Sequence, residues 1–244
     1  KMKERKMSLL LAMVLLSLSS LSKADNLIEL DQGSYQGHTG DNLNLLILQT
    51  GADNIIRKYQ NSYGSWITGD DVSIHLEQMN ESGTDNIIDI WHLEGDDNEV
   101  RWGQGLQLSG PTDTTFSFDG SEGGGHYARL DIHGDNNTFI GSQKMDTNSI
   151  SHSITANIYS DNNDVYVRQA QNGNKTFTLT IRNSNGNDVF VNQRDNGAHT
   201  ATVSLLGTQP TDLDLIQKGN TTQSYSLSQN CVTVGGCSVT GTQE

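Results

Sequence analysis

One register of apolar and amide residues recurs along this chain, and it restricts the fold more than any other feature. Counting from the first core residue of a copy, apolar residues stand at +2 and +4, Gln at +6 and a small residue at +8. Asn follows at +11, apolar residues at +13 and +15, and Gln again at +17. The copy beginning at Leu43 runs through Leu45, Ile47, Gln49, Gly51, Asn54 and Ile56 to Gln60, with Lys58 breaking the apolar rule. The copy beginning at His126 runs through Ala128, Leu130, Gly134, Asn137 and Phe139 to Gln143. The copy beginning at His152 runs through Ile154, Ala156, Ile158, Ser160, Asn163, Val165 and Val167 to Gln169. In these two, Ile132 and Ile158 stand where Gln is expected at +6. Later copies lengthen the turn: Phe177, Leu179 and Ile181 lead to Asn187, Val189, Val191 and Gln193, and Ala201, Val203 and Leu205 lead across Pro210 to Leu213, Leu215 and Gln217.

Apolar alternation with period two is the pattern of a strand with one buried face. Each copy therefore reads as strand, short arc, strand. The arcs contain Gly134-Asp135-Asn136-Asn137 and Ser160-Asp161-Asn162-Asn163, residue types that accept positive φ or bond nearby backbone. Copies too polar to fold singly are stabilised by stacking. The expectation is an all-β chain, an amyloid-like β-solenoid of stacked strand–arc–strand repeats. Strands are expected near 43–49, 54–60, 128–132, 137–143, 163–169 and 187–193. An inward amide is costly unless bonded, and stacking on its own copy in the next coil supplies that bond. Gln49, Asn54, Gln60, Gln78, Asn137, Gln143, Asn163, Gln169, Asn187, Gln193 and Gln217 are the candidate ladder and self-assembly residues.

The middle of the chain is less regular. Val72 to Gln78 reads as a first strand of a copy, and Asn86–Ile90 and Asn98–Gln104 as further strands. Residues 105–125, with Pro111 and Gly123-Gly124-Gly125, read as a Gly-rich loop or insertion that interrupts the array. The expected organisation is thus 1–24, 25–104, 105–125 and 126–244. The first segment reads as a secretory signal: Lys1, Lys3, Arg5 and Lys6 precede the apolar run Leu9–Leu16, and Ser22-Lys23-Ala24 is a small-x-small cleavage site. The run is too short to span a bilayer. Export predicts a secreted chain starting at Asp25.

Charge narrows the partners. The chain has 15 basic and 29 acidic residues, a net charge of −14. Residues 1–24 hold five of the basic residues and one of the acidic ones, so the exported part carries −18. Such a surface repels nucleic acid, and no nucleic-acid partner is expected.

The register Ser-x5-Gln-x4-Asn-x5-Gln, with aliphatic residues between, resembles the curlin repeat, and the resemblance covers nearly all of residues 26–243. Curlins are exported bacterial subunits of adhesive extracellular fibres in biofilms. The resemblance implies stacked amide ladders at the positions named above, self-association into fibres, other curlin-type subunits including a nucleator as partners, and an outer-membrane secretion channel. Departures are visible: Leu43, His126 or His152 replaces the leading Ser, and an aliphatic often replaces the first Gln. A bulk subunit and a minor, nucleating relative both remain open.

Other motifs have plainer readings. Cys231 and Cys237 fall at the small-residue and Asn positions of the last copy and would meet across its arc, predicting a disulfide in an oxidising compartment. Their spacing and the absence of a neighbouring His argue against a metal site. The histidines show no triad or ligand grammar, and His126, His152 and His199 read as surface or repeat-start residues. Strings such as Gly95-Asp96-Asp97-Asn98 lack calcium-loop spacing and read as turns. Tyr59, Tyr63, Trp66, Trp91, Trp102 and Tyr127 read equally as outward contacts or as strand formers. No catalytic set and no cofactor site is apparent. The last copy still keeps register through Val239-Thr240-Gly241-Thr242-Gln243, which predicts an open edge for polymerisation. The rival expectations are a monomeric solenoid adhesin and a polysaccharide-active β-helix enzyme.

Overall fold

The computed structural model describes residues 125–144, 151–182 and 184–244 and, before them, the strands within 27–104. The described residues contain no helix. Two eight-stranded, wholly parallel sheets run the length of the molecule. The opening sheet stacks β1 (Leu27–Ile28), β3 (Asn54–Arg57), β6 (Asn86–Ile90), β9 (Tyr127–Leu130), β11 (His152–Ser153), β13 (Lys175–Thr176), β15 (His199–Thr202) and β17 (Gln223–Ser226). The closing sheet stacks β2 (Asn44–Gly51), β5 (Ser73–Asn80), β8 (Glu99–Gln104), β10 (Thr138–Lys144), β12 (Asp164–Ala170), β14 (Asp188–Gln193), β16 (Thr211–Gln217) and β18 (Cys237–Gln243). A separate parallel pair joins β4 (Trp66–Ile67) to β7 (His92–Leu93). The architecture is a β-solenoid. Residues 125–244 make its last five coils, and the earlier strands add three layers.

Alternation decides what fills the space between the sheets. Ile154, Ala156, Ile158, Val165, Val167, Val189, Val191, Leu213 and Leu215 are at most 2% exposed, while Asp164, Asp188 and Asp212 between them face outward. Adjacent coils complement each other in size. Trp102 is fully buried and stacks on Phe139 at 5.5 Å, and a Cβ on Gly141 would meet the Trp102 ring at 3.0 Å. Trp102 is therefore a core residue and not an outward contact.

The arcs follow the turn chemistry of their residues. Asn136 and Asn162 take φ of 53° and 57°, the left-handed region that Asn tolerates. Asp161 Oδ1 accepts the Asp135 N–H at 3.0 Å, so the arcs stack as the strands do. The opening arm bends at Ile132, Ile158 and Ile181, whose φ of 49°, 87° and 43° disfavours a β-branched residue. Stacking of the three through β-bridges holds the bend.

The register corrects the repeat frame expected for the N-terminal copies. Gln49 pairs with Gln78, Gln78 with Gln104, and Gln104 with Gln143, so β2 and β5 belong to the closing sheet. Asn54 pairs with Asn86 in the opening sheet and is not in the column of Asn137. The N-terminal copies are therefore offset by half a repeat from the frame read in the sequence. The two arms carry the same apolar-x-apolar-x-Gln pattern, and pattern alone does not separate them. Across the insertion, β6 pairs directly with β9 and β8 with β10, so strands on both sides belong to one stack. Residues 1–24 and 105–124 lie outside the described residues.

Coils pass so closely at some glycines that no side chain fits. A Cβ on Gly134 would stand 2.2 Å from the Ser160 carbonyl oxygen. Gly134→Ala should destabilise the fold by about 1–3 kcal/mol, the usual cost of overpacking. Val234→Ala, at a site 93% exposed, should change it by less than about 0.5 kcal/mol. Thermal unfolding of the two variants checks this pair.

Candidate functional site

Eight glutamines line the inner side of the closing sheet, one per coil, and bond into a continuous ladder. Each Nε2 donates to the Oε1 of the next coil: Gln49 to Gln78 at 2.9 Å, Gln78 to Gln104 at 2.9 Å, Gln104 to Gln143 at 3.1 Å and Gln143 to Gln169 at 3.0 Å. The ladder continues from Gln169 to Gln193 at 2.9 Å, to Gln217 at 2.8 Å and to Gln243 at 2.7 Å. The second Nε2 hydrogen crosses the core to an opening-sheet carbonyl, as from Gln143 to Tyr127 O at 3.1 Å, Gln169 to Ser153 O at 2.9 Å and Gln217 to Thr200 O at 3.0 Å. Both amide donors are thus used, and this is why glutamines 0% exposed are tolerated at Gln78, Gln104, Gln143, Gln169, Gln193 and Gln217.

A shorter asparagine ladder stands at the arc, just before the closing strands. Asn163 Nδ2 donates to Asn137 Oδ1 at 2.8 Å, and Asn187 Nδ2 to Asn163 Oδ1 at 2.7 Å. Each Oδ1 also accepts the backbone N–H of the next coil: Asn163 N to Asn137 at 3.1 Å, Asn187 N to Asn163 at 3.1 Å and Thr211 N to Asn187 at 2.8 Å. These backbone bonds fix which end of each amide is oxygen. Asparagine donors point back along the chain, and glutamine donors point forward.

Of the expected ladder residues, Gln49, Gln78, Gln143, Gln169, Gln193 and Gln217 come together in one column and Asn137, Asn163 and Asn187 in another. Asn54 starts β3, apart from both, and Gln60 lies outside the described residues. Gln104 and Gln243 complete the glutamine column. Their signal was present, since each closes a strand in phase, but the irregular middle and the end of the array hid it.

For the histidines the structure decides between the two readings, surface or repeat start. His126, His152 and His199 are not on the surface; each is at most 1% exposed, and Lys175 between them is fully buried. They follow the buried Asn86 in the inward column that begins each opening strand, in register with Asn54, and Gln223 ends it. Their recurrence in phase with the repeat was the available signal.

Outward, Asp164, Asp188 and Asp212 stand in register on adjacent closing strands. Burial, then Asp212 and Asp164, raise the Asp188 pKa. Beside them Tyr166 stacks on Phe190 at 5.4 Å, and a shallow groove runs between these residues and Ile140. At the last coil Cys231 and Cys237 are disulfide-bonded across the arc, as their positions predict. No family model matches the chain, and neither a curated protein nor a solved structure is significantly similar to it.

Gln169→Leu removes one rung. It leaves the Gln143 amide donor and the Gln193 amide oxygen without their partners, so a loss of about 2–4 kcal/mol is expected from two desolvated groups. Denaturant unfolding measures it, with Asn196→Ala at an exposed arc position as the near-neutral comparison. Opening the disulfide by a paired Cys231→Ser and Cys237→Ser change should cost about 2 kcal/mol on the chain-entropy account. The loss should appear as faster hydrogen exchange in 223–243 with little change in 152–193.

Proposed function

We propose that this chain is a structural protein, a subunit or nucleator of extracellular, curli-like amyloid fibres that support adhesion and the biofilm matrix. The observation that carries the reading is the glutamine column, bonded from coil to coil through every layer from Gln49 to Gln243. In β16 the inward residues are buried on both sides, whereas in β18 the same positions are only half-buried. Val239, Leu227 and Tyr225 pack on the core from one side. Gln243 accepts from Gln217, and its Nε2 donates to Ser224 O at 3.1 Å. No described residue lies on the far side of this strand. A parallel strand from a second chain, bringing its own inward glutamine, would extend the backbone ladder and the amide column together. The shape also suits a solenoid adhesin, and the continuous amide column, which a second copy could extend, is what favours the fibre.

In this reading residues 1–24 direct export, an outer-membrane channel passes the chain, and the partners are further copies and curlin-type subunits. The surface charge delays association until chains meet at high concentration, because like-charged columns such as Asp164, Asp188 and Asp212 oppose lateral approach.

Growth of thioflavin-positive fibres from purified chain lacking residues 1–24 tests the proposal. Growth should quicken in high salt at neutral pH as repulsion is screened. Val239→Pro removes a ladder donor and Leu227→Asp places a charge against the core, so both should slow growth several-fold. A protein that stays monomeric at high concentration, with or without seeds of a curlin-type subunit, would overturn the fibre reading in favour of the adhesin.

A further inference from the structure

The inward column of the opening sheet contains three imidazoles and one ammonium where the first coils use asparagine. The His126 and His152 rings stack with centroids 5.0 Å apart. His152 Nε2 meets the Lys144 carbonyl at 3.2 Å and His199 Nε2 the Arg194 carbonyl at 2.8 Å. The Nδ1 atoms of both, and both ring nitrogens of His126, are buried without a hydrogen-bond partner. A carbonyl accepts only from an N–H, so Nε2 of His152 and of His199 carries a proton; Nδ1 has no acceptor to which a second proton could be donated, and the rings sit neutral.

Lys175 occupies the level between His152 and His199. Its ammonium donates to the carbonyls of Asn172 at 3.0 Å, Gly173 at 2.9 Å, Asp195 at 2.8 Å and Gly197 at 2.8 Å. Those oxygens stabilise its charge, although burial draws its pKa down to about 8. The column's ionisable surroundings are sparse. His126 is faced by His152, and His152 by His126, Lys175 and the backbone carbonyls of Lys144 and Gln171. His199 is faced by Lys175, Asp195 and the Arg194 and Gly219 backbone. Among the described residues Asp195 is the one carboxylate acting on the column, and it is shared between Lys175 and His199.

We propose that this column is an acid-sensitive release: neutral imidazoles keep the C-terminal coils closed near neutral pH, and protonation of those imidazoles opens the coils when the surroundings acidify. A second or third cation in the stack would have a cation on the adjoining level and no carboxylate of its own. Burial and then Lys175 hold His152 at about 3. Burial and then His152 hold His126 well below its ordinary value. His199 is lowered, first by burial. A group whose folded pKa is depressed in this way binds fewer protons folded than unfolded. When it is an imidazole, stability is complete above about pH 6.5 and falls as the pH drops below that value. For His152 the fall continues to about pH 3.

The molecule supplies its own control, because the buried Asn86 precedes the imidazoles in the column and Gln223 ends it. The variant His126→Asn/His152→Asn/His199→Gln replaces each imidazole with a side chain the column already accommodates. The full chain and this variant are compared by imidazole proton NMR and by unfolding stability between pH 8 and pH 4. In the unmodified protein, the His126 and His152 imidazole signals should stay unshifted down to pH 5. Unfolding at pH 5 should take up at least about two more protons per chain than unfolding of the variant. Titration of His126 or His152 near pH 6.5 in the folded chain, or an equal loss of stability with acid in both proteins, would overturn the proposal. If the triple variant is unfolded at pH 8, His152→Asn alone makes the comparison, with a difference of about one proton. The measurement reads the folding of the chain and does not depend on whether it forms fibres.

Discussion

A glutamine buried between two sheets has two donors and an acceptor to satisfy, and in this molecule the coils above and below supply what its own coil does not. Much else follows from that requirement. A slip of one residue would turn every inward side chain to solvent, and a slip of two would place an apolar residue opposite each amide. The ladder therefore fixes register between coils while leaving the length of each coil loosely specified. Successive glutamines in the column are separated by 29, 26, 39, 26, 24, 24 and 26 residues. The 39-residue interval includes the Gly-rich segment, yet the rung across it is 3.1 Å long like its neighbours. The constraint acts along the solenoid axis, and the number of residues between rungs does not enter it.

Each inward column is a nearly independent choice of chemistry, because a residue meets chiefly its counterparts one coil away. The closing column keeps glutamine throughout. The arc column keeps asparagine for three coils and then passes to Thr211 and Cys237, where the covalent bond to Cys231 takes over the holding of the arc. The opening column changes from amide to imidazole to ammonium and back. Acid therefore acts on two faces in opposite senses. Protonation relieves the outward aspartates, where burial and then the neighbouring Asp212 and Asp164 raise Asp188, and burdens the inward imidazoles.

The sequence revealed the solenoid because strand period, turn residues and amide positions agreed over many copies. The core positions from Ile154 to Val167, the arcs at Asn136 and Asn162 and the pairing of Cys231 with Cys237 were all readable there. The half-repeat offset at Gln49 and Asn54 was not, since both arms obey the same alternation and only inter-coil pairing distinguishes them. His126, His152 and His199 were legible only in part. Phase made His126 and His152 the start of a copy, but a surface reading stood beside it because imidazoles are only intermediate in burial, and Lys175 carried no such signal. Trp102 shows the same limit: its burial depends on Gly141 in the next coil, which the neighbouring residues do not announce.

The two amide ladders run in opposite donor directions, and this bears on how long such a stack can become. A row of aligned amides behaves as a row of aligned dipoles, each polarising the next, much as peptide groups do along a helix. In one ladder alone the ends would carry opposing partial charges, and no internal element would offset them. Here the asparagine row points against the glutamine row over the coils they share. Their moments largely cancel there, so those coils add cohesion without adding to a field along the axis.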